Sequence, residues 1–160
     1  MRKLLLFISI LQLFKANAQT AQFSWLSGST FTNQISVVGT KGVPSNTNVI
    51  GARQDAQYWN DSQNNLYIFG GSGVNSAGNI TTRNDLWRFD LTTNEYVWLT
   101  GSNALGSSGG VYGTKGVAST TNTPGSRYGG ATWVDNNGDL WMFGGDGSAA
   151  SSSGLLPDLW

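Results

Sequence analysis

The sequence predicts an all-β fold of about two successive four-stranded antiparallel sheets. Three observations carry this expectation. NNLYIFGGSG at residues 64–73 and GDLWMFGGDG at residues 138–147 repeat one arrangement, an apolar run that stops at a glycine pair. Gly39-Thr40-Lys41-Gly42-Val43 returns as Gly113-Thr114-Lys115-Gly116-Val117, and Arg53, Trp59, Asp61 and Gly70-Gly71 meet their like at the same offset of 74 (113 − 39). Beyond residue 18 no stretch has helical periodicity, while 22 Gly and only 11% charged residues point to many tight turns.

Residues 1–18 read as an export signal. Arg2 and Lys3 give a positive start, Leu4 to Phe14 an eleven-residue apolar stretch, and Ala16-Asn17-Ala18 a small-residue cleavage site. Eleven positions are too few to cross a bilayer, which takes roughly 20. A secreted or cell-surface location is therefore expected, after cleavage near Ala18. That cleavage removes three of nine basic residues, leaving 6 − 9 = −3. A weakly acidic chain lacks the clustered Lys and Arg that displace counterions, so no nucleic-acid partner is expected. With no Cys, disulfides are excluded, and the seven Trp, seven Phe and five Tyr must supply the packing.

Within the first unit, residues 54–60 form a weak first strand, clearer in the second copy as residues 130–134. Leu66-Tyr67-Ile68-Phe69 is apolar at every position and predicts a strand covered on both faces. Leu86 to Leu91 alternates, with Trp87, Phe89 and Leu91 on one side and Leu86, Arg88 and Asp90 on the other. Thr92-Thr93-Asn94 turns the chain into Tyr96-Val97-Trp98-Leu99, the fourth strand. Asp85-Leu86-Trp87 returns as Asp158-Leu159-Trp160 at an offset of 73, as does Trp25 in Trp98, which reads as a one-residue loop deletion. The glycine pairs suit a sheet end that must take positive φ and lie against a neighbouring backbone without a Cβ.

Arg53, Leu66 to Gly71, Asn84 to Asp90 and Trp98 together resemble the kelch repeat, which builds one blade of a β-propeller. Gly51 to Trp98 covers 48 residues, against about 50 for a kelch unit. The resemblance implies a partial kelch-type β-propeller: a leading segment at 19–50 with an orphan fourth strand, a first blade at 51–99, an inter-blade loop at 100–124 and a second blade at 125–160. It also implies that Phe23 to Leu26, which matches Tyr96 to Leu99, completes a blade made by the opposite terminus. A ring needs roughly four blades. The 142 residues after residue 18 hold about two, so the chain is expected to be the N-terminal part of a longer protein whose remaining blades close the ring. Pairing between copies of a half-propeller is the alternative.

Candidate binding residues are few. Arg53 and Arg127 open the strands expected to line the channel and could clamp a carboxylate by a bidentate fork. Their recurrence equally fits a structural pair, each holding backbone carbonyls or an Asp. Lys41 and Lys115, in the two Gly-Thr-Lys-Gly-Val loops, are either ligand contacts or loop anchors. Asp135 to Asp139 spaces oxygen ligands like a calcium loop, but its glycine falls early and no bidentate Glu follows, so a hairpin turn is the stronger reading. The seven Trp could be sugar platforms; six fall into repeat-equivalent pairs, which suits packing between blades. Asn60-Asp61-Ser62 and Asn79-Ile80-Thr81 fit the glycosylation pattern.

No catalytic constellation can be assembled. There is no His to act as a general base near neutral pH, and the His, Cys-crosslinked-Tyr and copper chemistry of the kelch-like galactose oxidases has no residues here. No cofactor and no metal are expected. The sequence therefore favours an exported, non-catalytic kelch-propeller module that recognises proteins or glycans through residues 27–50, 99–124 and the loops after each glycine pair. The alternative is a carbohydrate-active propeller enzyme, of the sugar-oxidase or sialic-acid-mutarotase kind, with its catalytic residues elsewhere in a longer chain.

Overall fold

The structure, a computed structural model, describes residues 21–75, 77–102 and 106–160. The export signal read at residues 1–18 lies outside them. Twelve strands and no helix are present among the described residues: β1 (Arg53–Gln54), β2 (Gln57–Asn60), β3 (Asn65–Phe69), β4 (Ser72–Val74), β5 (Ile80–Thr82), β6 (Leu86–Asp90) and β7 (Glu95–Thr100) in the first unit, then β8 (Arg127–Tyr128), β9 (Ala131–Val134), β10 (Leu140–Phe143), β11 (Asp146–Ser148) and β12 (Ser153–Leu155). Every strand pair is antiparallel. The fold is all-β, built of blade-like sheets, as the sequence predicts.

The first unit holds a four-stranded sheet in the order β2-β3-β6-β7. Its expected first strand is divided. Asp55 sits at φ 52°, a left-handed turn that sends β1 into a separate sheet while β2 stays in the blade. The loop after Gly70-Gly71 is itself a hairpin, β4–β5, which joins β1 as a three-stranded sheet, and β8, β11 and β12 repeat that sheet in the second unit. In β6, Trp87 and Phe89 are buried on one side, as alternation requires; Leu91 falls beyond the strand and is exposed. The second blade is a β9–β10 ladder, extended by a Phe143–Leu159 bridge and by paired backbone bonds between Met142 and Trp160. Residues 21–26 form no strand, and Phe23 and Trp25 stand in solvent, so the segment that matches the fourth strand in sequence does not act as one here.

The core is the seam between the two units. Trp59 and Phe69 on one face of the first sheet meet Met142 on the second, and Tyr67, Leu86, Leu140 and Trp160 close around them. The Trp59 indole N–H crosses the seam to the Trp141 carbonyl at 2.8 Å, and the Thr132 hydroxyl donates to the Tyr58 carbonyl at 3.0 Å. The glycine pair explains how closely the backbones approach. Gly71 N–H donates to the Arg127 carbonyl at 2.8 Å, and a Cβ on Gly70 would lie 2.5 Å from that same oxygen. Any side chain there would drive the units apart. The other face of β3 is less covered than expected: Leu66 and Ile68 are half-buried and Tyr58 beside them is exposed.

Candidate functional site

Arg53 and Arg127 are placed by β1 and β8, where the backbone starts each small sheet. Arg53 forks onto Asp85, Nη1 to Oδ1 at 2.8 Å and Nη2 to Oδ2 at 2.9 Å, and reaches the carbonyls of Gly70 and Gly51. Arg127 repeats the pattern on Asp158, Gly144 and Gly125. Each Asp also accepts the indole N–H two residues on, Trp87 at 2.7 Å and Trp160 at 2.9 Å. This explains why Asp-Leu-Trp recurs: one carboxylate joins an Arg about thirty residues upstream to its own strand's Trp. Burial pushes the Asp158 carboxyl up, but hydrogen bonds from Arg127, Trp160 and Tyr112 and the charge of Arg127 outweigh it and hold it at about 2. Both guanidinium groups thus tie the first glycine of a pair to the Asp of the Asp-Leu-Trp that comes later in the same unit. The sequence offered backbone carbonyls or an Asp as structural partners of the two Arg; both serve here, and the Asp is that of Asp-Leu-Trp.

Lys41 and Lys115 lie apart from the Arg pairs, on two copies of one loop. In the first, a Val37–Val49 bridge closes the loop and Asn48 holds it, its Oδ1 accepting from Gly39 N–H at 3.0 Å and its Nδ2 donating to the carbonyls of Val43 and Tyr96. The loop lies along β7, with Gly42 N–H on the Trp98 carbonyl at 2.9 Å and Lys41 Nζ 5.6 Å from the centre of the Trp98 ring. Lys41 thus makes a cation–π contact with the strand its loop lies on. The second loop closes by a Val111–Thr123 bridge and leaves Lys115 exposed. Asn48 and Asn122 stand at the offset of 74, so the signal for their shared role was already in the register.

The Asp135 to Asp139 segment is a turn. Asp135 Oδ1 accepts from Asn137 and Asp139 N–H, and its Oδ2 from the Trp141 indole, so donors occupy the oxygens a cation would need. Its repeat partner Asp61 likewise accepts from Gln63 and Asn65. Among the described residues no cluster of three or more acidic, His or Cys side chains could hold a metal.

Two concavities offer room for a ligand. One, of about 510 Å³, is bordered by Asp55, Tyr128, Gly130, Phe143, Asp146 and Leu156. In the first unit the matching place is filled by the second unit's backbone, so this depression is the open half of a seam. The other, of about 270 Å³, lies where residues 27–34 cross the first loop over β7, and Ser27, Ser29, Gln34, Asn46, Val49 and Tyr96 line it. It is polar without charge. Gln34 is fixed through its backbone, whose carbonyl accepts from Ala52 N–H at 2.7 Å, and through Nε2 on the Ile35 carbonyl at 3.1 Å. Trp25, whose indole N–H donates to the carbonyl of the lining residue Ser27 at 2.8 Å, is 70% exposed, and Phe31, whose backbone N–H donates to the Ser29 hydroxyl at 3.0 Å, is 81% exposed. Hydroxyls, amides and an aromatic ring in one uncharged groove suit a ligand rich in hydroxyl or amide groups.

No family model matches the chain, and no curated protein matches it. Among solved structures, that of YjhT is similar, with 28% identity over 61% of this chain and a TM-score of 0.43. The matched region spans 22% of the YjhT chain. No helix among the described residues is long and apolar enough to cross a membrane.

Proposed function

We propose that the chain is an exported, non-catalytic module of the kelch-propeller kind that recognises a glycan or protein surface through its loops, foremost residues 27–50. The observation that carries this reading is the uncharged groove at Gln34, Asn46 and Tyr96, two of whose lining residues, Ser27 and Ser29, are hydrogen-bonded to the exposed Trp25 and Phe31. Aromatic rings stack on the CH faces of sugars, while amides and hydroxyls bond the hydroxyl groups that point away from them. Peptide amides fit the same donors and acceptors. The arginines do not compete for this role, because both are committed to internal carboxylates and carbonyls.

An array of uncharged oligosaccharides, followed by calorimetry on any hit, tests the reading. Binding is expected, and Gln34→Ala combined with Asn46→Ala weakens it about tenfold, the loss of one or two hydrogen bonds to a bound ligand. Silence on the array together with turnover of a sugar substrate would replace it with the carbohydrate-active enzyme.

A further inference from the structure

The two units differ in what they bury beside their glycine pairs. Arg83 N–H donates to the Gly71 carbonyl at 3.0 Å, and Leu156, as far from Arg83 as Asp158 is from Asp85, donates to the Gly145 carbonyl at 2.9 Å. The two positions are equivalent, and Arg83 is 5% and Leu156 7% exposed. A leucine meets the packing needs of this place; the arginine adds a buried charge. That charge has no counter-ion within the chain. All nine acidic residues lie among the described ones, and their ion pairs are Arg53–Asp85 and Arg127–Asp158. Asp85 is taken up by the Arg53 fork and the Trp87 indole. Burial first, and the Arg53 charge second, lower the Arg83 pKa from its ordinary value, against the upward pull of Asp85. Two guanidinium groups thus face one carboxylate.

Arg83 Nη2 donates to the Val74 carbonyl at 2.8 Å, but Nε is sealed from solvent without a partner, and so is Thr81 Oγ1. Both border Gly73. Thr81 is its partner across β4–β5, and a Cβ on Gly73 would meet Arg83 Nε at 3.3 Å, beside the Ala52 carbonyl. In the second unit Gly154 and Leu156 take the places of Thr81 and Arg83, so the two polar groups are absent together. A structural device recurs, as Arg53 and Arg127 do; this pair does not. We infer that Arg83, with Thr81, holds one small oxyanion, a carboxylate, sulfate or phosphate group. A water molecule could satisfy Nε and the hydroxyl, yet it leaves the guanidinium charge uncompensated. An anion supplies both the acceptor and the charge. The place lies at the seam already made, not on an open face, because the Arg83 carbonyl accepts from Arg127 N–H at 3.0 Å. Nε is sealed with both units in position, so whatever bonds it is small. Nη1, neither bonded nor sealed among the described residues, marks the way in.

The Arg83 Nε–H resonance in a nitrogen-15 spectrum, identified by its loss in Arg83→Leu, tests the inference. Acetate, sulfate and phosphate are titrated in dilute zwitterionic buffer. The resonance is expected to shift and saturate with at least one of them, and the tightest names the group. Thr81→Val weakens that binding about tenfold, the loss of one hydrogen bond to a charged group. The saturating anion raises the melting temperature of the chain and leaves that of Arg83→Leu unchanged. Arg83→Leu is expected to fold, since Leu156 fills the equivalent place, and circular dichroism checks it. If it does not fold, Arg83→Gln, which removes the charge and keeps a polar end, takes its part. The inference is overturned by a resonance that none of the three anions moves, or by a shift that chloride reproduces at equal ionic strength. A melting rise that Arg83→Leu shares overturns it too.

Discussion

Asn48 and Asn122 hold the same place in two loops of nearly the same sequence, and their circumstances differ. Asn48 is 4% exposed, and its amide satisfies Gly39, Val43 and Tyr96. Asn122 donates to the Val117 carbonyl at 3.0 Å, but its buried Oδ1 has no donor. Both loops close by one bridge and carry a Ser–Thr side-chain bond of 2.8 Å, Ser45–Thr47 and Ser119–Thr121. Loop shape is thus written locally, in the order of residues, while burial is supplied by a neighbour. β7 covers the first loop; among the described residues no strand covers the second. The same division runs through the molecule, in the seam face of the first sheet against the open face of the second.

Three perturbations sharpen this contrast. The largest effect belongs to the ion pairs. The side chains of Arg53 and Asp85 are 7% and 5% exposed, and Asp85→Ala leaves a buried guanidinium without a counter-charge, costing about 3–5 kcal/mol in urea unfolding. Asp158→Ala costs more, because the guanidinium it strands, that of Arg127, is 0% exposed. Equal losses would break the link between burial and cost. The Asp158 pair also sets an acid limb. Its folded value of about 2 lies below the ordinary 3.8, so its contribution is whole above about pH 4 and is lost as pH falls through about 2. Asp158→Ala flattens that limb.

Next in size is Asn48→Ala, which strands the Gly39 N–H and the Val43 carbonyl, the Tyr96 carbonyl keeping the Ser45 N–H, and costs about 1–3 kcal/mol. Asn122→Ala stays within about 0.5 kcal/mol, since it removes one half-exposed bond. A melting series on the two variants reads the difference, and parity between them would show that β7 adds nothing to the first loop. The smallest effect is Lys41→Ala, which removes the contact with Trp98 and costs about 0.5–1 kcal/mol, against no change for Lys115→Ala. Quenching of Trp98 fluorescence by added iodide follows the same order.

Much of the fold was legible because long apolar or alternating runs have one reading. Leu66 to Phe69, Leu86 to Asp90 and Tyr96 to Leu99 are strands at those places, and the glycine pairs mark close backbone approach. The β4–β5 hairpin was not legible. Ser72-Gly73-Val74 and Ile80-Thr81-Thr82 are too short and too polar to carry periodicity, and their order comes from pairing with β1. Phe23 to Leu26 is different again: its sequence matches a strand, but a strand needs a sheet edge, and among the described residues none lies beside it, the edge it is expected to complete being that of a further blade. At the candidate site, the offset of 74 contained Asn48 and Asn122, yet Gln34 and Tyr96 converge only because residues 27–34 cross the loop, a tertiary fact with no local signature.

The Trp59 indole proton, held by a carbonyl eighty-two residues away, has a practical consequence. In a nitrogen-15 spectrum it is a single resonance whose shift and solvent exchange depend on the two halves of the chain staying together. Opening of the molecule can therefore be timed from one peak, without a label, and separated from melting within either half.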